Sequence, residues 1–228
     1  MNLTISKELF KRTVTSIILI STLGGAYLHS TTLYNALLIA LYLMILIFEL
    51  PALFHLNMFK IFLVSIIYPS ISIASLGLLN QVFRPENMIL PLYPFLVGWS
   101  ADTCGYFVGK AFGQHKMCPT ISPGKSWEGF LGSILGVFAM HIFLAPVLIN
   151  TPFSLNIGWA KISLTAVIMT TIAFLGGLML SYLKRKKGLK DAGNVLPGHG
   201  GFLDRFDSVF FVAPATWIII LLAKFLSA

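Results

Sequence analysis

Long apolar runs separated by short polar breaks set the pattern of this chain. Seven runs can be traced, roughly 13–28, 32–50, 61–79, 89–109, 130–149, 162–183 and 206–225, each near the ~20 residues that a helix needs to cross a bilayer. Continuous apolarity at that length, without the period-two alternation of half-buried strands, predicts helices. The expectation is an all-α, polytopic integral membrane protein of about seven transmembrane helices, folded as one domain over 1–228.

The runs differ in what interrupts them. Lys7, Lys11 and Arg12 precede the first in the manner of a signal peptide, but no A-x-A site follows and further spans do, so an uncleaved first helix is expected. The first three runs read as scaffold, with Pro69 as a kink in the third. The fourth contains Asp102, with Gly105, Tyr106 and Gly109 at helical spacings. An ionisable residue at membrane depth points to function, and small neighbours allow close approach of a helix or a substrate. His29, His55 and His141 have no partner at metal-ligand spacing and read as structural.

The strongest break is 181–208, SYLKRKKGLKDAGNVLPGHGGFLDRFDS, where six of the sixteen Lys and Arg residues and three of the eight acids fall within 28 positions. Gly188, Gly193 and Pro197-Gly198-His199-Gly200-Gly201 predict a loop. A helix opening at Asp204 would put Asp207 and Ser208 on the same face. Two carboxylates on one face suit Mg²⁺, which takes one or two carboxylates, waters and phosphate oxygens. The glycine-rich backbone ahead of Asp204 is expected to present N–H groups to an anion. Lys184, Arg185, Lys186, Lys187, Lys190 and Arg205 would surround that anion, and the whole suggests phosphoryl or nucleotidyl transfer. A positively charged loop that only fixes topology would account for Lys184–Lys187, yet would need neither the glycines nor the acids.

Composition narrows the class further. The chain is 57% hydrophobic and 11% charged, with a mean hydropathy of +0.85, outside the range of water-soluble domains. Its formal charge of +8 lies in short loops and forms no stripe for nucleic acid; anionic lipid and phosphate fit better. Cys104 and Cys118 are too few for a disulfide framework or zinc site and read as free thiols. With the N-terminus inside, thirteen Lys and Arg residues lie on that side against Arg84, Lys161 and Lys224 outside. That asymmetry predicts a multi-pass protein of the cell (inner) membrane with its N-terminus and the polar loops cytoplasmic. Gly124-Lys125-Ser126 is not the end of a Walker A loop, because Pro119 stands where its first glycine is required, and no strand is expected before it. Gly198-His199-Gly200 lacks the third glycine of a dinucleotide loop, Leu203 standing there.

The pattern formed by Ser181, Lys184, Arg185, Lys190, Asp191, Gly193, Pro197 to Gly201, Asp204, Arg205 and Asp207 resembles the signature of the phosphatidate cytidylyltransferase (CDP-diglyceride synthase) family. Upstream, Asp102-x-x-Gly105-Tyr106-x-x-Gly109 is similar to that family's D-x-x-A-Y-x-x-G motif, with Gly105 in place of Ala. Ser122-Pro123-Gly124-Lys125-Ser126-Trp127-Glu128-Gly129 is similar to its S-P-K-K-T-W-E-G segment, with Gly124 and Ser126 departing from it. Residues 1–88 then read as scaffold spans and 89–228 as the motif-bearing catalytic region.

The resemblance implies transfer of CMP from CTP to phosphatidate, giving CDP-diacylglycerol and pyrophosphate, with a divalent metal and in a homodimer. A phosphatidate oxygen would attack the α-phosphorus of CTP in line. Asp204 and Asp207 would hold Mg²⁺, with room for a second cation. Lys184, Arg185, Lys190 and Arg205 would offset charge on the leaving oxygens, Asp191 would orient Lys190 or join the metal shell, and His199 would donate to phosphate. Asp102, Tyr106, Ser122, Lys125, Gly198, Gly200 and Gly201 would contact substrate. Where the family reads G-D-L-x-E-S, this chain has Gly176-Gly177-Leu178-Met179-Leu180-Ser181, so an acid of the family's metal centre is Gly177. Two alternatives follow: a CTP-dependent transferase acting on another lipid phosphate, and a catalytically impaired lipid- or nucleotide-binding relative.

Overall fold

Local signals explain where the helices begin and end in the structure, a computed structural model that describes residues 2–53, 58–148, 158–193, 195–196 and 200–227. Helix α1 is Asn2–His29 and α2 is Thr31–Met44; Ser30 separates them, its extended backbone and hydroxyl capping α2 through the Leu33 N–H at 3.0 Å. A π-helical turn, Ile45–Glu49, continues α2 into α3, Leu50–Leu53. Helix α4 is Met58–Phe83, with Pro69 inside it. A short 3₁₀ turn, Leu90–Leu92, leads into α5, Tyr93–Phe112, which has a proline in its first turn and stops at Gly113. Helix α6 is Trp127–Phe143, α7 is Trp159–Lys186 and α8 is Leu203–Ser227. The last opens one residue before Asp204, where the sequence places its start.

One expectation is corrected here. A two-stranded antiparallel hairpin, β1 (Lys116–Cys118) and β2 (Ser122–Ser126), joins α5 to α6, so a strand does precede Ser126. The pairing Lys116 with Ser126 and Cys118 with Ser122 is a tertiary arrangement that alternation in so short and polar a segment does not reveal. Strand β2 runs directly into α6, whose first turn Ser126 caps through the Gly129 N–H at 3.2 Å. The glycine spacing of a Walker loop is still missing.

The protein is all-α apart from this hairpin, and it is a membrane protein. Among the described residues three helices are long and apolar enough to cross a bilayer, over Thr31–Glu49, Trp159–Lys186 and Leu203–Phe225, and shorter apolar helices run over Thr13–His29, Ile67–Phe83 and Trp127–Phe143. Cys104 and Cys118 are free thiols.

The chain divides into two compact units, Met1–Gly77 with Leu183–Phe206, and Leu78–Tyr182 with Asp207–Ala228. In the first, Tyr27 and Tyr34 meet edge to face at 5.3 Å, and the Tyr42 hydroxyl shares a 2.6 Å hydrogen bond with that of Ser70. In the second, α5 and α6 press together over small residues. A Cβ at Gly132 would lie 2.6 Å from Val108, and one at Gly136 would lie 2.6 Å from the Cys104 Cβ. Ser133 ties the pair by donating to the Ala101 carbonyl at 2.7 Å. Tyr93, Val97, Val137, Met169 and Val212 pack at the centre of this unit. Buried His141 bonds to the Tyr93 hydroxyl at 2.9 Å and the Val137 carbonyl at 2.8 Å, a structural role.

Candidate active site

In the first unit the signature loop is organised by two carboxylates. Asp204, in the first turn of α8, receives the Lys184 ammonium on Oδ1 at 2.6 Å and the N–H groups of Ala192 and Gly201 on Oδ2 at 2.7 and 3.1 Å. Its side chain is 6% exposed and that of Lys184 14%. Glu49, wholly buried on the π turn, accepts from the N–H groups of Phe202 and Leu203 at 2.6 and 2.9 Å. A carboxylate there satisfies the orphan donors of a helix N-terminus and faces its positive dipole end. Gly193 and Gly201 leave room for it, since a Cβ at either would stand 3.0 or 2.9 Å from Glu49 side-chain atoms.

These contacts change the meaning of the glycine run. The N–H groups of Gly201, Phe202 and Leu203 are bonded to Asp204 and Glu49, so these three are taken within the loop. Gly200 has a positive φ of 83° and bridges to Leu196, its carbonyl accepting that N–H at 2.8 Å. Arg185, Lys190, Asp191 and Arg205 are exposed, with the Arg185 Nη1 3.4 Å from the Leu189 carbonyl. Pro197, Gly198 and His199 lie outside the described residues.

Glu49 is the residue that the sequence reading misses. It is an acid near the end of the second apolar run, and the rule that singles out Asp102 would have found it too.

The second unit holds a cavity of about 260 Å³ whose lining includes Asp102, Tyr106, Ser122 and Lys125, so four predicted substrate contacts come together. Helix α5 supplies Asp102 and Tyr106 at i and i+4, and β2 supplies Ser122 and Lys125. The Lys125 ammonium lies 4.3 Å above the Phe174 ring and 3.4 Å from the Phe174 carbonyl, a cation held against an aromatic face and a helix carbonyl. Next to it is the space left by Gly177, where a Cβ would be 2.9 Å from Lys125 Nζ and 3.3 Å from Asp207 Oδ2. Ser208 connects the two acids of this unit, its hydroxyl donating to Asp102 Oδ2 at 3.4 Å and its N–H to Asp207 Oδ1 at 2.7 Å.

Outside the cavity, the hairpin is fastened by His115 and Glu128. The His115 ring meets Glu128 Oε1 at 2.6 Å, and its backbone N–H reaches both carboxylate oxygens at 3.2 and 3.3 Å. The side-chain bond to His115, with its other hydrogen bonds, holds the Glu128 carboxyl below its ordinary range.

The donor set bears on which metal the chain could hold. No group of three His, Cys, Asp or Glu side chains gathers among the described residues, and the oxygens of Asp204 are already bonded to three donors. Asp102 and Asp207 of the second unit, both bonded to Ser208, and the exposed Asp191 of the first remain. Two carboxylates suit Mg²⁺ that arrives with phosphate oxygens and keeps its waters, and not a cage built wholly of protein.

Comparison with known proteins gives the chain a family. Residues 2–223 match the cytidylyltransferase family. Over 153 residues the chain is 41% identical to the phosphatidate cytidylyltransferase of Staphylococcus aureus (strain COL) and 40% identical to that of Staphylococcus haemolyticus (strain JCSC1435). It is 38% identical over 153 residues to the same-named protein of Staphylococcus epidermidis (strain ATCC 12228 / FDA PCI 1200). Each match takes in 66% of this chain and 57% of the relative, so the chain spans little more than half the length of these curated relatives.

Proposed function

The chain belongs to the cytidylyltransferase family, and from that premise we propose that it transfers CMP from CTP to phosphatidate, forming CDP-diacylglycerol and pyrophosphate. The observation that carries this reading is the cavity in which Asp102, Tyr106, Ser122 and Lys125 meet, because it combines a fixed ammonium, a carboxylate and apolar walls within a membrane protein.

In the proposed reaction a phosphate oxygen of phosphatidate forms a bond to the α-phosphorus of CTP while the bond to the bridging oxygen breaks and pyrophosphate leaves. A phosphate oxygen at neutral pH is already deprotonated, so no general base is needed. The task of the protein is alignment and charge stabilisation. Lys125 holds the attacking phosphate. By the resemblance of the signature loop alone, Arg185, Lys190 and Arg205, exposed within the first unit, are the cations that would stabilise charge on the departing pyrophosphate, with His199 as a further donor to phosphate. Asp204 and Glu49 keep the signature loop in shape, and Lys184 is the counter-ion of Asp204. Asp102 and Asp207 are the residues that would hold Mg²⁺, which supplies Lewis-acid stabilisation of the phosphoryl oxygens when bound.

The same reading includes seven spans, cytoplasmic loops and a homodimer in the cell membrane. A second reading, a lipid- or nucleotide-binding relative without turnover, is favoured by Gly177. The test is labelled CTP with phosphatidate and Mg²⁺ in detergent. CDP-diacylglycerol formation supports the proposal. Product from a different lipid phosphate alone, or binding without any product, would overturn it.

A further inference from the structure

The cavity wall contains a polar group that the reaction described above does not use. Thr170, on α7, is 1% exposed, and its hydroxyl has no hydrogen-bond partner. Its neighbours behave differently: Ser163, Thr165 and Thr171 donate to the carbonyls four residues earlier at 2.9, 2.8 and 2.7 Å. Buried hydroxyls are normally bonded, so this one, on a residue that lines the cavity, is a donor that a turn of the side chain would present to a ligand atom.

The surroundings decide between the two substrates of the proposed reaction. Among the lining residues Lys125 is the one Lys or Arg and Asp102 the one Asp or Glu, and Tyr106, Phe130 and Phe174 supply aromatic surface. Helix α7 is a candidate span of mean hydropathy 2.0. A nucleoside triphosphate would bring several negative charges, more than Lys125 and a Mg²⁺ held at Asp102 would offset in an apolar setting, a poor match. A glycerolipid phosphate brings one phosphate for Lys125, hydrocarbon for the aromatic rings, and ester carbonyls, which are acceptors that survive at membrane depth.

We infer that this cavity takes the glycerol-ester portion of the lipid substrate, with the Thr170 hydroxyl donating to an acyl ester carbonyl oxygen and Lys125 facing the phosphate. The inference deepens the proposed reaction and rests on its lipid substrate. It makes Thr170 a specificity residue that separates ester-linked from ether-linked lipid phosphates, since a dialkyl lipid has no carbonyl to accept the bond.

The test is equilibrium binding of diacyl and dialkyl phosphatidate to the purified full chain in detergent, without CTP, so that it does not depend on turnover. One hydrogen bond predicts that the wild type binds the diacyl lipid about five- to tenfold more tightly. Thr170→Val, of nearly the same shape, should abolish that preference, and Thr170→Ser should restore it. Equal affinity of the wild type for the two lipids would overturn the inference, and this comparison stands even where the Val variant does not fold. A preference that persists in Thr170→Val, or a variant that weakens CTP binding in place of lipid binding, would overturn it as well. Product formation from CTP, assayed separately, reports on the reaction itself.

Discussion

The Glu49 carboxylate accepts the Leu203 backbone N–H at 2.9 Å across 154 residues of sequence, so the N-terminus of α8 is fixed by a side chain from the π turn after α2. Together with the bond to Phe202, this makes an N-terminal helix part of the signature loop. Glu49→Ala would leave two buried donors without an acceptor, and each such group costs about 1–3 kcal/mol. The expected outcome is a destabilisation of about 2–4 kcal/mol in detergent, read as a lowered midpoint of thermal unfolding. Glu49→Gln, which keeps one acceptor oxygen, should fall between the two. An Ala variant as stable as wild type would show that the loop holds itself.

Asp204 is expected to act on the same loop and not on metal. Asp204→Ala removes the acceptor of Lys184, Ala192 and Gly201, leaving a nearly buried ammonium uncompensated, and should lower stability by about 3 kcal/mol. Activity lost in this variant should not return at high Mg²⁺. Recovery on raising Mg²⁺ would reassign Asp204 to the metal.

Gly177→Asp tests whether the chain accepts another acid beside Lys125 and Asp207. The new Cβ meets only the terminal Nζ of Lys125 at 2.9 Å, an atom at the far end of a long side chain that can shift by a few tenths of an ångström, so the fold should survive. A further carboxylate next to Asp207 should lower the Mg²⁺ concentration that gives half-maximal activity several-fold, because each added charged ligand strengthens a hard-cation site. An unchanged Mg²⁺ titration would place the metal elsewhere.

The hairpin should respond to acid in a defined direction. The Glu128 carboxyl is held below its ordinary range, first by its bond to His115, so the contact is present while the carboxylate is charged. Its contribution is full above the unperturbed value of about 4.3 and disappears as pH falls through the lowered folded value. The protection factor of the His115 amide, whose N–H donates to Glu128, should therefore stay constant down to pH 5 and fall only in stronger acid. Glu128→Gln should remove that pH dependence.

The charge asymmetry of thirteen Lys and Arg residues against three predicts the result of cysteine labelling in intact cells. With both native cysteines replaced, Lys186→Cys should be unreactive to an impermeant reagent and Ala228→Cys reactive. The reverse would remove the signature loop from the compartment that supplies CTP.

The amino-acid sequence by itself determined that this is a helical membrane protein, because transfer of long apolar runs into lipid is additive along the chain and needs no knowledge of packing. It also determined where α8 starts and which segments carry the chemistry, since a change from apolar run to glycine, Lys and Asp is visible locally. Tertiary structure alone decided which groups those residues touch. Asp204 reads as an open carboxylate until Lys184, Ala192 and Gly201 are found on its oxygens. The N–H groups of Phe202 and Leu203 read as free until Glu49 is found against them, and Thr170 cannot be told from Thr171 until one hydroxyl is seen without a partner. The physical reason is the short reach of a hydrogen bond: which donor a carboxylate takes depends on which backbones packing brings within about 3 Å, and sequence separation carries no record of that distance.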